Sequence, residues 1–173
     1  MRKIILAVAV TLDNFIEGPN GEIDWCFTDQ DYGMTDFLNR IDTILYGRKS
    51  YELVVKMEGG LGMYGNKKNY VFSNTIKGQL EGAELVRGST LEQVKEIKAA
   101  PGKDIWLFGG AALTESLMQA NLVDEFWFTV HPIILGKGKP LFTNLQHPIN
   151  LTLVNSKVYE TGLVSLNYQL KEK

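Results

Sequence analysis

Ile44-Leu45-Tyr46-Gly47-Arg48-Lys49-Ser50-Tyr51-Glu52 joins an apolar run to a glycine and then to a basic, hydroxyl-bearing segment with helical spacing. A glycine lets backbone approach a ligand closely, and the free N–H groups of a helix start attract anions. Arg48, Lys49 and Ser50 add a fork of donors, a point charge and a hydroxyl, the equipment for holding a phosphate. A second turn of this kind stands far downstream at Ile105-Trp106-Leu107-Phe108-Gly109-Gly110-Ala111-Ala112-Leu113. Either turn alone reads equally well as an ordinary βα connection of an α/β sheet. Together they suggest a nucleotide with more than one phosphate.

Around these turns the chain alternates. Ile4–Val10 reads as a central strand, apolar on both faces as in a covered sheet. Residues 12–25 form a long loop, 29–40 a helix, 43–46 a strand and 49–56 a helix. Short strands over 68–72 and 83–86 precede a helix over 90–99, a strand over 105–108 and a helix over 111–120. The last third changes character, with long strands over 125–135, 151–159 and 163–170. Alternating βα units with a β-rich end predict a mixed, mainly parallel sheet with antiparallel C-terminal strands, in one domain spanning 1–173. Gly60-Leu61-Gly62-Met63-Tyr64-Gly65 fits G-x-G-x-x-G, but it follows a helix and opens none, so it reads as a loop.

Composition narrows the function. A hydrophobic share of 45% with 22% charged residues is that of an ordinary globular protein. The net charge of −2 gives no support for a nucleic-acid or membrane partner. Cys26 is the only cysteine, so no internal disulfide can form, which fits a reducing cytoplasm. With two histidines beside it, a structural zinc is not expected. Met1-Arg2-Lys3 ahead of an apolar run resembles a short signal peptide, but Asp13-Asn14 follows where a small-residue cleavage site belongs.

Val8-Ala9-Val10-Thr11-Leu12-Asp13-Asn14-Phe15-Ile16, a Gly/Pro loop closed by Trp25, and Gly47-Arg48-Lys49-Ser50-Tyr51-Glu52 follow one another in a telling order. Val71-Phe72-Ser73-Asn74, Phe108-Gly109-Gly110-Ala111 and Ile133 to Phe142, with Gly136-Lys137-Gly138-Lys139-Pro140, continue it. Over essentially the whole chain this pattern resembles the dihydrofolate reductase-like superfamily, a three-layer αβα fold. It is most similar to stand-alone relatives of the C-terminal reductase domain of the bifunctional riboflavin-biosynthesis deaminase-reductase.

The resemblance implies an NADPH-dependent reductase that acts on a small molecule and pairs as a homodimer. Ala9 and Ile16 would border the nicotinamide, and Gly47, Arg48, Lys49 and Ser50 would face the pyrophosphate and the adenosine 2′-phosphate. Ser73, Asn74 and Arg87 would reach the adenosine side, and Gly109, Gly110, Ala111 and Ala112 would lie against the pyrophosphate. The Gly-Gly bond is typically cis in this superfamily. Implied substrates are a 5-amino-6-(5-phosphoribosylamino)uracil-like compound or dihydrofolate; a nucleotide-binding protein without turnover would keep the same glycines. In dihydrofolate reductases an acid on the first helix orients substrate and assists protonation. Asp31 precedes Gly47 by 16 residues (47 − 31), which matches that acid's spacing. Asp36 sits more regularly within the helix, and Trp25 could face the substrate. The acid is expected to be poorly solvated, with a raised pKa. His131, next to Pro132, reads as a structural histidine.

Overall fold

The computed structural model describes residues 1–171. Its central strands are β1 (Ile4–Thr11), β3 (Ile41–Gly47), β4 (Lys68–Phe72), β5 (Glu84–Val86), β6 (Asp104–Gly109), β7 (Glu125–His131), β9 (Leu151–Val158) and β10 (Val164–Leu170). They form one eight-stranded sheet in the order β5-β4-β3-β6-β1-β7-β10-β9. The pairs from β5 to β7 are parallel, whereas β10 runs antiparallel to both β7 and β9.

Side-chain alternation along the strands builds two cores. Ile4, Leu6, Leu45, Ile105, Leu107 and Phe126 face one side, under α3 (Thr90–Ala99) and α4 (Ala111–Gln119). Ile5, Ile44, Tyr46, Trp106 and Trp127 face the other, under α1 (Met34–Arg40) and α2 (Arg48–Val54). Helices on both faces explain why the central strands are apolar throughout. The expected mixed, mainly parallel three-layer αβα architecture is what the chain adopts.

Several boundaries differ from the sequence reading. The first helix begins at Met34 and not at 29, because Tyr32 (φ 50°) and Gly33 (φ 88°) are left-handed and break the helical path. The strand expected to reach 135 stops at His131, since Pro132 offers no N–H to the ladder. Residues 12–25 are more than a loop: β2 (Phe15–Glu17) pairs with β8 (Lys139–Pro140) as a separate antiparallel ribbon. Gly60–Tyr64 forms a short 3-10 helix where a loop was expected.

The ribbon explains Gly136-Lys137-Gly138-Lys139. Asp13 accepts hydrogen bonds from the Leu135 and Gly136 amides at 3.2 and 2.8 Å. A Cβ on Gly138 would stand 2.4 Å from the Glu17 carbonyl oxygen, so only glycine allows the strands to meet. Lys139 is then held beside Glu17 by an ion pair at 3.1 Å.

Candidate functional site

The carboxyl ends of β3 and β6 lie side by side, and the two glycine turns touch there. A Cβ on Gly47 would sit 3.1 Å from the Gly110 nitrogen and 3.5 Å from the Gly109 carbonyl oxygen. The Gly109–Gly110 peptide bond is cis. α2 and α4 start directly after these glycines, with no side-chain cap on either, so their first N–H groups point outward without intrahelical acceptors. Ligands of open α/β sheets characteristically bind at this edge.

Three cavities run along the edge and share walls. The first, about 480 Å³, is lined by Gly47, Arg48, Lys49, Thr90, Ala112 and Ser116, among others. It meets the second through Gly110, Ala111 and Lys139. Ala9, Ile16, Ser50 and Gly109 line that second cavity, of about 170 Å³. Val8, Ala9 and Cys26 are common to the second and the third, about 360 Å³, where Phe27, Tyr32, Trp106 and Trp127 supply aromatic walls. The result is one cleft, cationic at one end, apolar in the middle and aromatic at the other.

The expected cofactor residues divide into two groups. Ala9, Ile16, Gly47, Arg48, Lys49, Ser50, Gly109, Gly110, Ala111 and Ala112 all line the cleft. Arg48 pairs with Glu52 at 3.3 Å, and both side chains are 44% exposed, so little holds the guanidinium away from a ligand. Ser73, Asn74 and Arg87 stand apart from these walls and knit the ends of β4 and β5 together. The Ser73 hydroxyl accepts from the amides of Thr75 and Ile76. Asn74 accepts from the Gly88 amide at 3.0 Å, and Arg87 donates to the Ile76 carbonyl at 2.8 Å. Each makes a bond that shapes these turns, the usual employment of Ser and Asn after a strand, while Asn74 Nδ2 and the other Arg87 nitrogens keep donors to spare.

The substrate-side expectations need more correction. Asp31 does line the aromatic cavity, but its carboxylate is exposed and accepts from Thr35 N–H and Oγ1 at 2.9 and 2.6 Å and from Gly33 N–H at 3.0 Å. These bonds, led by the Thr35 hydroxyl, hold its pKa below the usual value, opposite to the expected rise. It is an ionised helix-start acceptor and a poor general acid. Asp36 is exposed and borders a different groove, between α1 and the β7-β10-β9 face. Trp25 is buried, donates to the Glu22 carbonyl and packs edge-on against His131 at 5.2 Å, behind the cleft wall.

Two wall residues were assigned no place at the site from the sequence. Cys26, read only for its redox compartment, stands where the middle and aromatic cavities meet. Burial, aided by Asp24, pushes its thiol up to about 11, so it stays protonated at neutral pH. Lys139 reaches the cationic end from the last third of the chain, a placement only the ribbon reveals.

His131 is structural, as expected, and closes the aromatic end. Its Nδ1 donates to the Thr129 carbonyl at 3.0 Å and its Nε2 accepts from the Phe27 amide at 3.1 Å, which specifies the neutral tautomer. Burial lowers its pKa. Folded protein therefore binds fewer protons than unfolded protein below pH 6.5, the unperturbed value. This contribution is intact above that pH and is lost as pH falls through it toward the lower folded-state pKa. Urea midpoints measured at successive pH values should show a wild-type decline there that His131→Gln reduces. Parallel curves for the two proteins would refute it.

A sequence model of the RibD C-terminal domain matches residues 2–165. The chain belongs to the RibD C-terminal domain family. The uncharacterized protein YyaP of Bacillus subtilis (strain 168) is 48% identical over 177 aligned positions, covering 96% of this chain and 94% of that one. A putative riboflavin biosynthesis protein from Shewanella sp. PV-4 superposes with a TM-score of 0.86 at 25% identity, over 99% of this chain and all of the other. Dihydrofolate reductase from Enterococcus faecalis, solved with NADP(H), gives a TM-score of 0.71 at 16% identity over 98% and 97% of the two chains. That last likeness establishes the shared fold. Membership places the chain among riboflavin-type reductase domains, a family of oxidoreductase character. No helix among the described residues is long and apolar enough to cross a membrane.

Proposed function

We propose that this protein is an NADPH-dependent reductase that passes hydride to a small heterocyclic substrate. The observation that carries the reading is the single cleft joining Arg48, the Gly109–Gly110 turn and the aromatic cavity through shared walls. Gly47 and Gly110 leave the backbone bare where a pyrophosphate would lie, and the start of α4 offers N–H groups to it. Arg48 and Lys49 would take the 2′-phosphate. Bound NADPH would supply the hydride. Ala9, Ile16 and Val8 would exclude water beside the nicotinamide, and the aromatic cavity would orient the acceptor ring. Because Asp31 stays ionised, water delivers the proton that completes the reduction while Asp31 orients substrate.

The family's riboflavin-pathway case is 5-amino-6-(5-phosphoribosylamino)uracil, and the flat aromatic walls support a ring of that kind. Oxidation of NADPH with this compound, its phosphate-free ribosyl form and dihydrofolate in parallel tests the reading. No oxidation with any of them would favour nucleotide binding without turnover. Cofactor choice gives a sharper test. Arg48 should make NADPH bind more tightly than NADH by about 1.5–3 kcal/mol, the range for a charge-assisted contact. Arg48→Ala should lose most of that preference; equal affinities in wild type would refute the assignment.

A homodimer built through β9 belongs to the same proposal. Every β9 residue after Leu151 is exposed, including Leu153, Val154 and Val158 at 50%, 60% and 75%. A long apolar edge strand is normally covered. Sedimentation at micromolar concentration should show a dimer that Val154→Asp dissociates. A 19.4 kDa species alone in wild type would remove this claim.

A further inference from the structure

The aromatic cavity, at about 360 Å³, stands near the lower end of the roughly 300–1,000 Å³ usual for ligand pockets. What bounds it differs between its two flanks. Toward β10 the wall is Trp127 and Tyr32, and polar contacts fix both. Trp127 Nε1 donates to the Ser165 hydroxyl at 2.6 Å. The Tyr32 hydroxyl donates to Asp29 at 2.7 Å and lies 3.2 Å from the Thr161 hydroxyl. Toward β3 the wall is Trp106, and Phe108 continues that flank into the middle cavity. Tyr64 lines neither cavity but backs this flank, edge-on to Trp106 at 5.0 Å and tilted against Phe108 at 5.8 Å.

Tyr64 reaches this place from the short 3-10 helix Gly60–Tyr64, bracketed by the left-handed Gly59 (φ 81°) and Gly65 (φ 77°). Positions of this kind can absorb large backbone changes. The hydrogen bonds at the helix ends are local, from the Gly60 amide to the Met57 carbonyl and from the Gly65 amide to the Gly62 carbonyl, each at 3.0 Å. Leu61 and Tyr64 join it to the core under α1 and α2 by apolar packing. Burial pushes the Tyr64 phenol up to about 12, so the ring enters as a neutral wedge. Tyr46 packs against the same Phe108 at 5.0 Å, fully buried, and its hydroxyl has no partner among the described residues. One flank of the cavity is therefore locked by hydrogen bonds, whereas the other is held by a wedged ring.

We propose that Tyr64 is a specificity-determining residue, a wedge that ends the acceptor space at Trp106 and Phe108. It restricts the protein to compact acceptors and excludes those that carry a second ring toward β3. Truncating the wedge would join the space it fills to the cleft and leave the Tyr46 hydroxyl free to meet a tail that enters there. This rests on the reductase reading for which cavity takes the acceptor.

A matched pair of probes tests the wedge: 6-methyl-7,8-dihydropterin and 7,8-dihydrofolate share a reducible ring system and differ by an aminobenzoylglutamate tail. NADPH-saturated protein is titrated with each, read by tryptophan fluorescence and by NADPH oxidation. Wild type should bind the compact compound at least about tenfold more tightly, because a second ring forced against a packed wall is overpacking. Tyr64→Ala should erase that ratio by gaining affinity for dihydrofolate, and Tyr64→Phe, which keeps the ring, should preserve it. A merely structural tyrosine would instead weaken both compounds together. If Tyr64→Ala does not fold, Tyr64→Leu gives the same reading with a smaller truncation. Equal wild-type binding of the two compounds overturns the inference, as does an unchanged ratio in the folded truncation or failure of both to bind at millimolar concentration. A ratio erased by Tyr64→Ala without NADPH oxidation would uphold the inference and sink the reductase reading. Oxidation of both compounds with a ratio that Tyr64→Ala leaves alone would do the reverse.

Discussion

Gly47→Val should weaken NADPH binding by about 10- to 100-fold while leaving a folded protein, because overpacking at the turn would cost bound cofactor about 1–3 kcal/mol. A Cβ at this position would press on the Gly110 backbone nitrogen at 3.1 Å, and valine adds two further methyl carbons to that crowding. Backbone cannot swing aside as a long side chain can, so the β3 and β6 turns must separate. Overpacking of this kind costs about 1–3 kcal/mol of stability, which the fold should tolerate. Gly62→Ala is the control, since a Cβ there would meet nothing within 4 Å and its chain stretch lies outside the cleft. NADPH titration by fluorescence, with thermal melts alongside, reads both effects. Unchanged affinity in Gly47→Val would mean that the cofactor does not cross this turn.

Arg2→Ala should cost about 3 kcal/mol of stability, the lower end of the range for breaking a buried ion pair. The Arg2 side chain is 7% exposed and lies beneath the amino end of the sheet, far from the cleft. It pairs with Asp42, donates to the Thr43 hydroxyl at 2.6 Å and caps the Ile97 carbonyl at 3.1 Å. The lower figure applies because Asp42 is 36% exposed and keeps the Lys103 amide at 2.8 Å. For a chain of this size the melting temperature should fall by about 6–12 °C. NADPH affinity should not change. A shift under two or three degrees, on the order of 1 kcal/mol, would show that Asp42 is adequately solvated without its partner. The same arginine had looked like the charged start of a signal peptide, and burial gives it a different role.

The parallel core and the glycine-lined, cationic half of the cleft were legible in the sequence because both depend on local patterns. Apolar runs ending in glycine and followed by helical spacing specify strand, turn and helix within a dozen residues, and Gly47-Arg48 and Gly109-Gly110 did so correctly. Ser73, Asn74 and Arg87 were harder, since a residue at a strand end can serve a ligand or its own turn with the same donors. The aromatic half was not legible. Whether Asp31 is a buried acid or an ionised helix-start acceptor depends on the left-handed Tyr32-Gly33 step, which brings Thr35 and Gly33 N–H groups onto its carboxylate. Lys139 and Cys26 reach the cleft only through the β2–β8 ribbon and the segment that His131 anchors, contacts spanning 122 and 104 residues. Local sequence therefore determined the strands, the glycine turns and the cations that follow the first of them. Only the tertiary structure decided what lies at the other end, because a cavity's charge is set by which distant side chains converge on it and by which donors their neighbours have already taken.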